Sequence, residues 1–317
     1  MISTRSRRTV RGAVAAIAAT VALAATAGIS FASTGADPVG ADHARASASA
    51  EAERAAQRAT NPGLRAAGEV VETPTFPMTA VHKRTSELYL YFADRAGGFD
   101  PQYDVGVTYE FAADAIDVDN DKDGYSDGTW NLRKDGRLYY TWSDDLDVYS
   151  KQVGKGWDIY TTVLSPGDLG GAKEADLIGL DKAGVLWGYL GYPDGTVTAR
   201  TRIGGGWGQY AQLAGQADLT GDGKADIVAQ DKSGVLWLYK GTGDYKSPFA
   251  ARTRVGGGWN AYDRLLSVGD LDSDGRTDLV ARKLNGDLYR YSGTGDASAV
   301  FKSPAVIGHG FQAYNLL

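Results

Sequence analysis

A short strand text recurs five times in this chain at nearly constant spacing. Leu236-Trp-Leu-Tyr239 returns as Leu288-Tyr-Arg-Tyr291, Leu186-Trp-Gly-Tyr189, Leu138-Tyr-Tyr-Thr141 and Leu88-Tyr-Leu-Tyr91, with starts 50, 48, 50 and 52 residues apart. Self-similarity at one fixed period marks a fold assembled from stacked copies of a single supersecondary unit. In four copies a glycine (Gly136, Gly184, Gly234, Gly286) sits two residues before the leucine, which is the mark of a tight hairpin turn. A second text runs in phase: Gly-Lys-Gly-Trp157, Gly-Gly-Gly-Trp207, Gly-Gly-Gly-Trp259 and Gly-His-Gly-Phe311, each followed three residues later by tyrosine. The first copy of this text is eroded to Val107-Thr-Tyr109-Glu-Phe111.

Eleven residues after each of Trp157, Trp207 and Trp259 an acidic loop begins. Asp218-Leu-Thr220-Gly-Asp222-Gly223-Lys-Ala-Asp226 and Asp270-Leu-Asp272-Ser-Asp274-Gly275-Arg-Thr-Asp278 resemble Asp119-Asn-Asp121-Lys-Asp123-Gly124-Tyr-Ser-Asp127. The loop at 168–176 has lost the acids at its third and fifth positions, and the first unit has no loop. Carboxylates at positions 1, 3, 5 and 9, a backbone carbonyl at 7 and a turn-permitting glycine at 6 provide the oxygen cage that a hard cation requires. Calcium suits it better than magnesium, which demands a stricter octahedron. The expected ligands are Asp119, Asp121, Asp123, Tyr125 and Asp127; Asp218, Thr220, Asp222, Lys224 and Asp226; and Asp270, Asp272, Asp274, Arg276 and Asp278. Two to three calcium ions are expected, in a structural role, with the loop at 168–176 empty.

Each unit divides into about four short strands, as in residues 210–219, 225–230, 235–240 and 251–255. Four-stranded units of this length around an axis describe an all-β, five-bladed propeller over residues 74–317. The chain enters after the loop position and ends before the next, so the C-terminal strand is expected to complete the first blade and leave no open edge.

Composition agrees. There are 42 Gly and 25 Tyr and Trp, a mixture suited to short strands and tight turns. The absence of cysteine excludes disulfides, zinc–thiolate sites and cysteine nucleophiles. The formal charge is −6, and the first 33 residues carry four Arg and no acid, so their removal would leave −10. A chain this acidic is a poor nucleic-acid binder. Residues 1–33 read as a signal peptide: a basic stretch from Arg5 to Arg11, an Ala/Val/Leu-rich run and small residues near Ala32 and Ala36. General secretion is the reading, with Arg7-Arg8 leaving twin-arginine export open. Residues 34–73 are Ala-rich, with too few large apolar side chains to bury a core, and read as a disordered linker. No membrane span is expected after signal removal.

The acidic loops followed by Asp-Leu-Val or Asp-Ile-Val resemble FG-GAP/VCBS repeats, the calcium-loop propeller units of integrin α-chains and of many secreted bacterial proteins. The resemblance covers about 74–317 and implies calcium; integrin relatives have seven blades, so five is a departure. The period and the Gly-Gly-Trp-x-x-Tyr text are also similar to tachylectin-type five-bladed lectins, which implies sugar pockets between blades. The export signal and linker look actinobacterial, and propellers of this kind occur there as hydrolase appendages and as lectin subunits of toxin particles.

No Gly-x-Ser-x-Gly elbow, His-Glu-x-x-His or phosphate loop occurs, and there are three His in all. The chain is therefore read as non-enzymatic, with hydrolase activity as a third reading. Trp157, Trp207, Trp259 and Phe311 read either as packing between blades or as platforms for the apolar face of a sugar. Arg202 and Arg254, five residues before two of them, are the candidate hydrogen-bond donors. The expectation is a secreted lectin-like propeller for cell-surface glycans; the alternative is an adaptor subunit for a secreted protein partner.

Overall fold

In a computed structural model, residues 73–144 and 147–317 are described, so the expected signal peptide and nearly all of the expected linker lie outside the described residues. Strands β1 (Met78–His82), β2 (Glu87–Tyr91) and β3 (Tyr103–Thr108) form blade 1. Blade 2 is β4 (Ala112–Val118), β5 (Gly128–Arg133), β6 (Leu138–Asp144) and β7 (Asp147–Gly154). Blade 3 is β8 (Tyr160–Gly167), β9 (Asp176–Asp181), β10 (Leu186–Tyr189) and β11 (Thr201–Gly204). Blade 4 is β12 (Tyr210–Ala214), β13 (Ile227–Asp231), β14 (Leu236–Tyr239) and β15 (Thr253–Gly256). Blade 5 is β16 (Tyr262–Gly269), β17 (Asp278–Lys283), β18 (Leu288–Tyr291) and β19 (Ala305–Gly308). The last strand, β20 (Tyr314–Leu316), pairs antiparallel with β1, so blade 1 is closed by the far end of the chain as expected. All five sheets are four-stranded and antiparallel.

The repeated texts now have causes. The recurrent leucine is fully buried in every blade: Leu88, Leu138, Leu186, Leu236 and Leu288 are each 0% exposed. Burial of one such side chain contributes about 1.5–3 kcal/mol. The recurrent aromatic opens a short 3₁₀ turn before the next blade. The glycine ahead of it (Gly156, Gly206, Gly258, Gly310) has φ of 79–88°, a left-handed geometry that a side chain would strain. The amide of Trp157, Trp207, Trp259 and Phe311 then donates to the carbonyl of Gly136, Gly184, Gly234 and Gly286 in the hairpin of the preceding blade, at 2.9–3.0 Å. At the fifth seam Tyr109 donates to Ser86 at 2.7 Å, and Ser86 takes φ 60° in place of glycine. The two texts are the two sides of one interblade bond, which is why they stay in phase.

The acidic loops also join blades. Loop 168–176 of blade 3 abuts the hairpin of blade 4 so closely that a Cβ on Gly170 would lie 2.1 Å from the Gly243 carbonyl oxygen. Blade 1 has no loop of its own; the incoming segment takes that place. Thr75 donates its amide to Gly124 O at 3.2 Å and its hydroxyl to Asp270 O at 3.0 Å, and Thr73 donates to Gly275 O at 2.7 Å. Residues 73–75 therefore bridge the loops of blades 2 and 5. Among the described residues no helix is long and apolar enough to cross a membrane.

Candidate functional sites: carboxylate loops and blade-seam aromatics

Two of the loops gather carboxylates. Oxygens of Asp119, Asp121 and Asp127, and of Asp270, Asp272 and Asp278, lie within 4.8 Å of one another in each set. In the second set Asp270 and Asp278 are buried, Asp272 Oδ1 is buried without a hydrogen-bond partner, and burial pushes Asp278 up to about 7. Burial likewise pushes Asp119 up to about 6, with Asp123 and Asp127 adding repulsion. Desolvated, mutually repelling carboxylates with an orphaned acceptor fit a hard cation. When bound, calcium would add positive charge to both clusters, in the second beside the Arg290 guanidinium 3.2 Å from Asp272.

Loop 218–226 is arranged differently. Asp222 is committed to the Lys240 ammonium at 3.0 Å, and Asp218 accepts the amides of Thr220 and Gly221 at 2.8 and 2.7 Å. Three carboxylates do not converge there. Protein cations approach the other loops as well. Lys302 reaches Asp274 at 2.9 Å and Lys122 reaches Asp168 at 3.4 Å. Of the seventh-position residues, Lys224 and Arg276 lay their side chains beside Gly243 and Gly295 of the next hairpin, and Tyr125 donates its amide to Asp123 Oδ1 at 2.9 Å.

The ninth-position aspartate has a role the sequence did not disclose. Asp176, Asp226 and Asp278 each accept two backbone amides. One comes from Leu169, Leu219 or Leu271 in the loop, and the other from Gly191, Gly241 or Gly293 at the end of the third strand. It is a bracket between loop and outer hairpin, present whether or not the loop retains its other acids.

The sugar-platform reading of the tryptophan series is corrected. Trp157, Trp207, Trp259 and Phe311 are 5%, 7%, 7% and 7% exposed. The three indoles lie 4.5–4.6 Å from the rings of Tyr189, Tyr239 and Tyr291, and Phe311 lies 5.0 Å from Tyr91. Their faces are spent on packing, because each must fill the wedge beside the interblade bond that its own amide makes.

The accessible aromatics stand elsewhere. Trp187 and Trp237 are half-buried, and each donates its indole N–H to an aspartate, Asp181 or Asp231, at 2.8 Å. The Trp187 hydrogen bond holds Asp181 below the usual carboxylate range. Arg200 lies 4.2 Å from the Trp187 ring centroid and Arg252 lies 4.1 Å from that of Trp237. These, not Arg202 and Arg254, are the arginines on the rings. Arg202 and Arg254 are the direct ladder partners of these tryptophans, yet their guanidinium groups turn over Gly205 and Gly257. The same register position carries Tyr289 with Lys283 at 4.3 Å, Tyr139 with Arg133 at 5.7 Å, and Tyr89, which bonds Glu87 at 3.0 Å.

Comparison with known proteins agrees with the loops and strands. Residues 218–281 match the FG-GAP-like repeat family. That span runs from the acidic loop of blade 4 to the second strand of blade 5. No curated protein matches in sequence. Among solved structures the chain is similar to yeast RCC1 (Prp20) bound to Kap60, at 12% identity and a TM-score of 0.33 over 66% of this chain and 52% of that one. It is similar to Prp20p from Saccharomyces cerevisiae at 12% and 0.34, over 71% and 59%. A third is the Nup133 β-propeller domain of Vanderwaltozyma polyspora, at 11% and 0.37, over 74% and 75%. The chain thus spans less than two thirds of either Prp20 structure, and likenesses at this level say nothing of function.

Proposed function

We propose that this protein is a secreted, calcium-stabilised, non-catalytic recognition propeller that binds carbohydrate at the accessible third-strand aromatics of its blades. One observation supports this above the others: an aromatic side chain occupies the same register position in all five blades, and in four of them a cation lies over it. An exposed cation–π contact contributes only about 0.5–1 kcal/mol. A sugar ring can displace the arginine from the aromatic face and accept its hydrogen bonds on the hydroxyls, with Asp181 or Asp231 fixing the indole edge. Several weak equivalent stations suit a polymeric glycan through avidity. The FG-GAP-like match over 218–281 supports the calcium loops as structural staples.

The test is a glycan array probed with the wild-type chain and with the Arg200→Ala/Arg252→Ala double variant. Array binding that the double variant loses at an unchanged melting temperature is expected. Absence of binding to any glycan, with a stoichiometric protein partner co-purifying, overturns the carbohydrate reading in favour of an adaptor. One feature favours that second reading: Leu284, 76% exposed, occupies the turn position where the other four blades carry Lys83, Lys134, Lys182 and Lys232.

A further inference from the structure

Four of the five blades begin their innermost strand with tyrosine. Tyr160, Tyr210, Tyr262 and Tyr314 stand opposite Asp181, Asp231, Lys283 and His82 in the first ladder. The residue in the same register in blade 2 is Ala112, opposite Arg133. In blades 3, 4 and 5 the tyrosine hydroxyl meets a second one, from Tyr189, Tyr239 or Tyr291. Blade 2 has Thr141 at that second position as well. Two rings that fill the other seams are therefore missing where blade 2 meets blade 1.

A cavity of about 440 Å³ lies at this seam, within the ~300–1,000 Å³ typical of small-molecule sites. Val81, Tyr109 and Ala112 form a buried apolar wall. The rest of the lining is dominated by cations: Lys83, Lys134, Arg264 and Arg282, with Glu110 as the acidic side chain among them. The four cations differ in what they already hold. Arg282 is fully engaged, giving Nε and Nη2 to Asp263 at 2.9 Å each and Nη1 to the carbonyls of Phe311 and Tyr314. Lys134 holds the Glu110 carbonyl at 2.6 Å. Lys83 is exposed and has no ion pair among the described residues. Arg264 interacts electrostatically with Asp114, but its Nε is buried without a hydrogen-bond partner. A guanidinium with an unused donor and an unpaired ammonium, beside an apolar wall, are the groups that recognise an oxyanion on a compact organic body.

We propose that this cavity binds a monosaccharide-sized ligand bearing an oxyanion, either a carboxylate or a phosphate ester. The anion meets Arg264 and Lys83, and the body of the ligand takes the space beside Ala112, where the other four blades carry a tyrosine. The site is separate from the third-strand aromatics of the proposed function, and it stands or falls independently of them.

Isothermal titration of the full chain with D-glucuronate, D-glucose 6-phosphate and D-glucose tests it. One or both anions bind and glucose does not; whichever binds identifies the source of the oxyanion. Ala112→Tyr, which restores the ring of the other blades, abolishes binding, and Lys83→Gln weakens it about five- to tenfold, an effect that shrinks in high salt. If Ala112→Tyr does not fold, the Lys83→Gln/Lys134→Gln double variant, altered only at exposed positions, carries the test and should lose binding. The proposal is overturned if neither anion binds to protein of native melting temperature, if glucose binds as well as the anions, or if folded Ala112→Tyr binds unchanged.

Discussion

The Arg290 guanidinium approaches Asp272 to 3.2 Å and lies 4.0 Å from Asp278, inside the best-formed carboxylate cluster of the chain. The equivalent residues in blades 1 and 4 are Leu90 and Leu238, fully buried core side chains. Blade 5 has thus placed an internal cation where a metal would compete for the same oxygens. Arg290→Leu should lower the melting temperature in chelator, because the carboxylates lose their counter-charge. It should also tighten calcium binding on the order of tenfold, equivalent to about 1.4 kcal/mol. Calcium titration followed by calorimetry measures both; an affinity that does not change would show that Arg290 and the ion do not compete.

Asp176 is the sharpest test of the bracket, since its loop lacks the acids at its third and fifth positions. Its two oxygens accept the Leu169 amide at 2.9 Å and the Gly191 amide at 3.0 Å. Asp176→Ala leaves two buried donors unpaired and should cost about 2–4 kcal/mol. The loss should be the same with calcium and with chelator. Chemical denaturation under both conditions reads it, and a calcium-dependent loss would mean that loop 168–176 holds an ion.

Burial raises Asp176 and Asp278 to about 7 and Asp119, Asp226 and Asp114 to about 6. A carboxyl whose folded pKa lies above its unfolded value contributes stability that is complete below about pH 3.8 and is lost as pH rises through the folded value. The metal-free protein should therefore melt at progressively lower temperature between about pH 4 and pH 7. Calcium requires the ionised carboxylates, so its stabilising increment should grow over the same interval. Melting curves in chelator and in calcium at four pH values would settle the matter; a chelated protein that gains stability towards pH 7 contradicts the burial assigned to these groups.

Much of the fold was legible because its constraints are local and repeated. Leu88, Leu138, Leu186, Leu236 and Leu288 mark one buried position, and the turn glycines mark one backbone geometry, so their period alone counted the blades. What was not legible depends on the far side of a contact. Asp176 reads as the remnant of a lost metal loop until Leu169 and Gly191 are seen on its oxygens. Arg202 and Arg254 are selected by their spacing from Trp207 and Trp259, whereas the accessible rings are Trp187 and Trp237 and the cations over them are Arg200 and Arg252, which only the side-chain packing shows. The eroded copy from Val107 to Phe111 does not mark Ala112; only the ladder shows that it occupies a tyrosine position.

Trp207 separates packing from recognition in one side chain. Its ring lies against Tyr239 at 4.5 Å and Tyr210 at 5.5 Å, and its amide holds Gly184 across the seam. Removing the indole opens a void between two blades that the backbone bond prevents from collapsing. Trp207→Ala should cost about 3–5 kcal/mol, the usual range for a large buried aromatic. Trp207→Phe, which reproduces what Phe311 does at the closing seam, should cost about 1 kcal/mol. Urea denaturation orders the three proteins. If Trp207→Ala instead kept wild-type stability and lost glycan binding, the ring would be a ligand platform after all, and the buried position assigned to the whole Trp157, Trp207, Trp259 and Phe311 series would have to be abandoned.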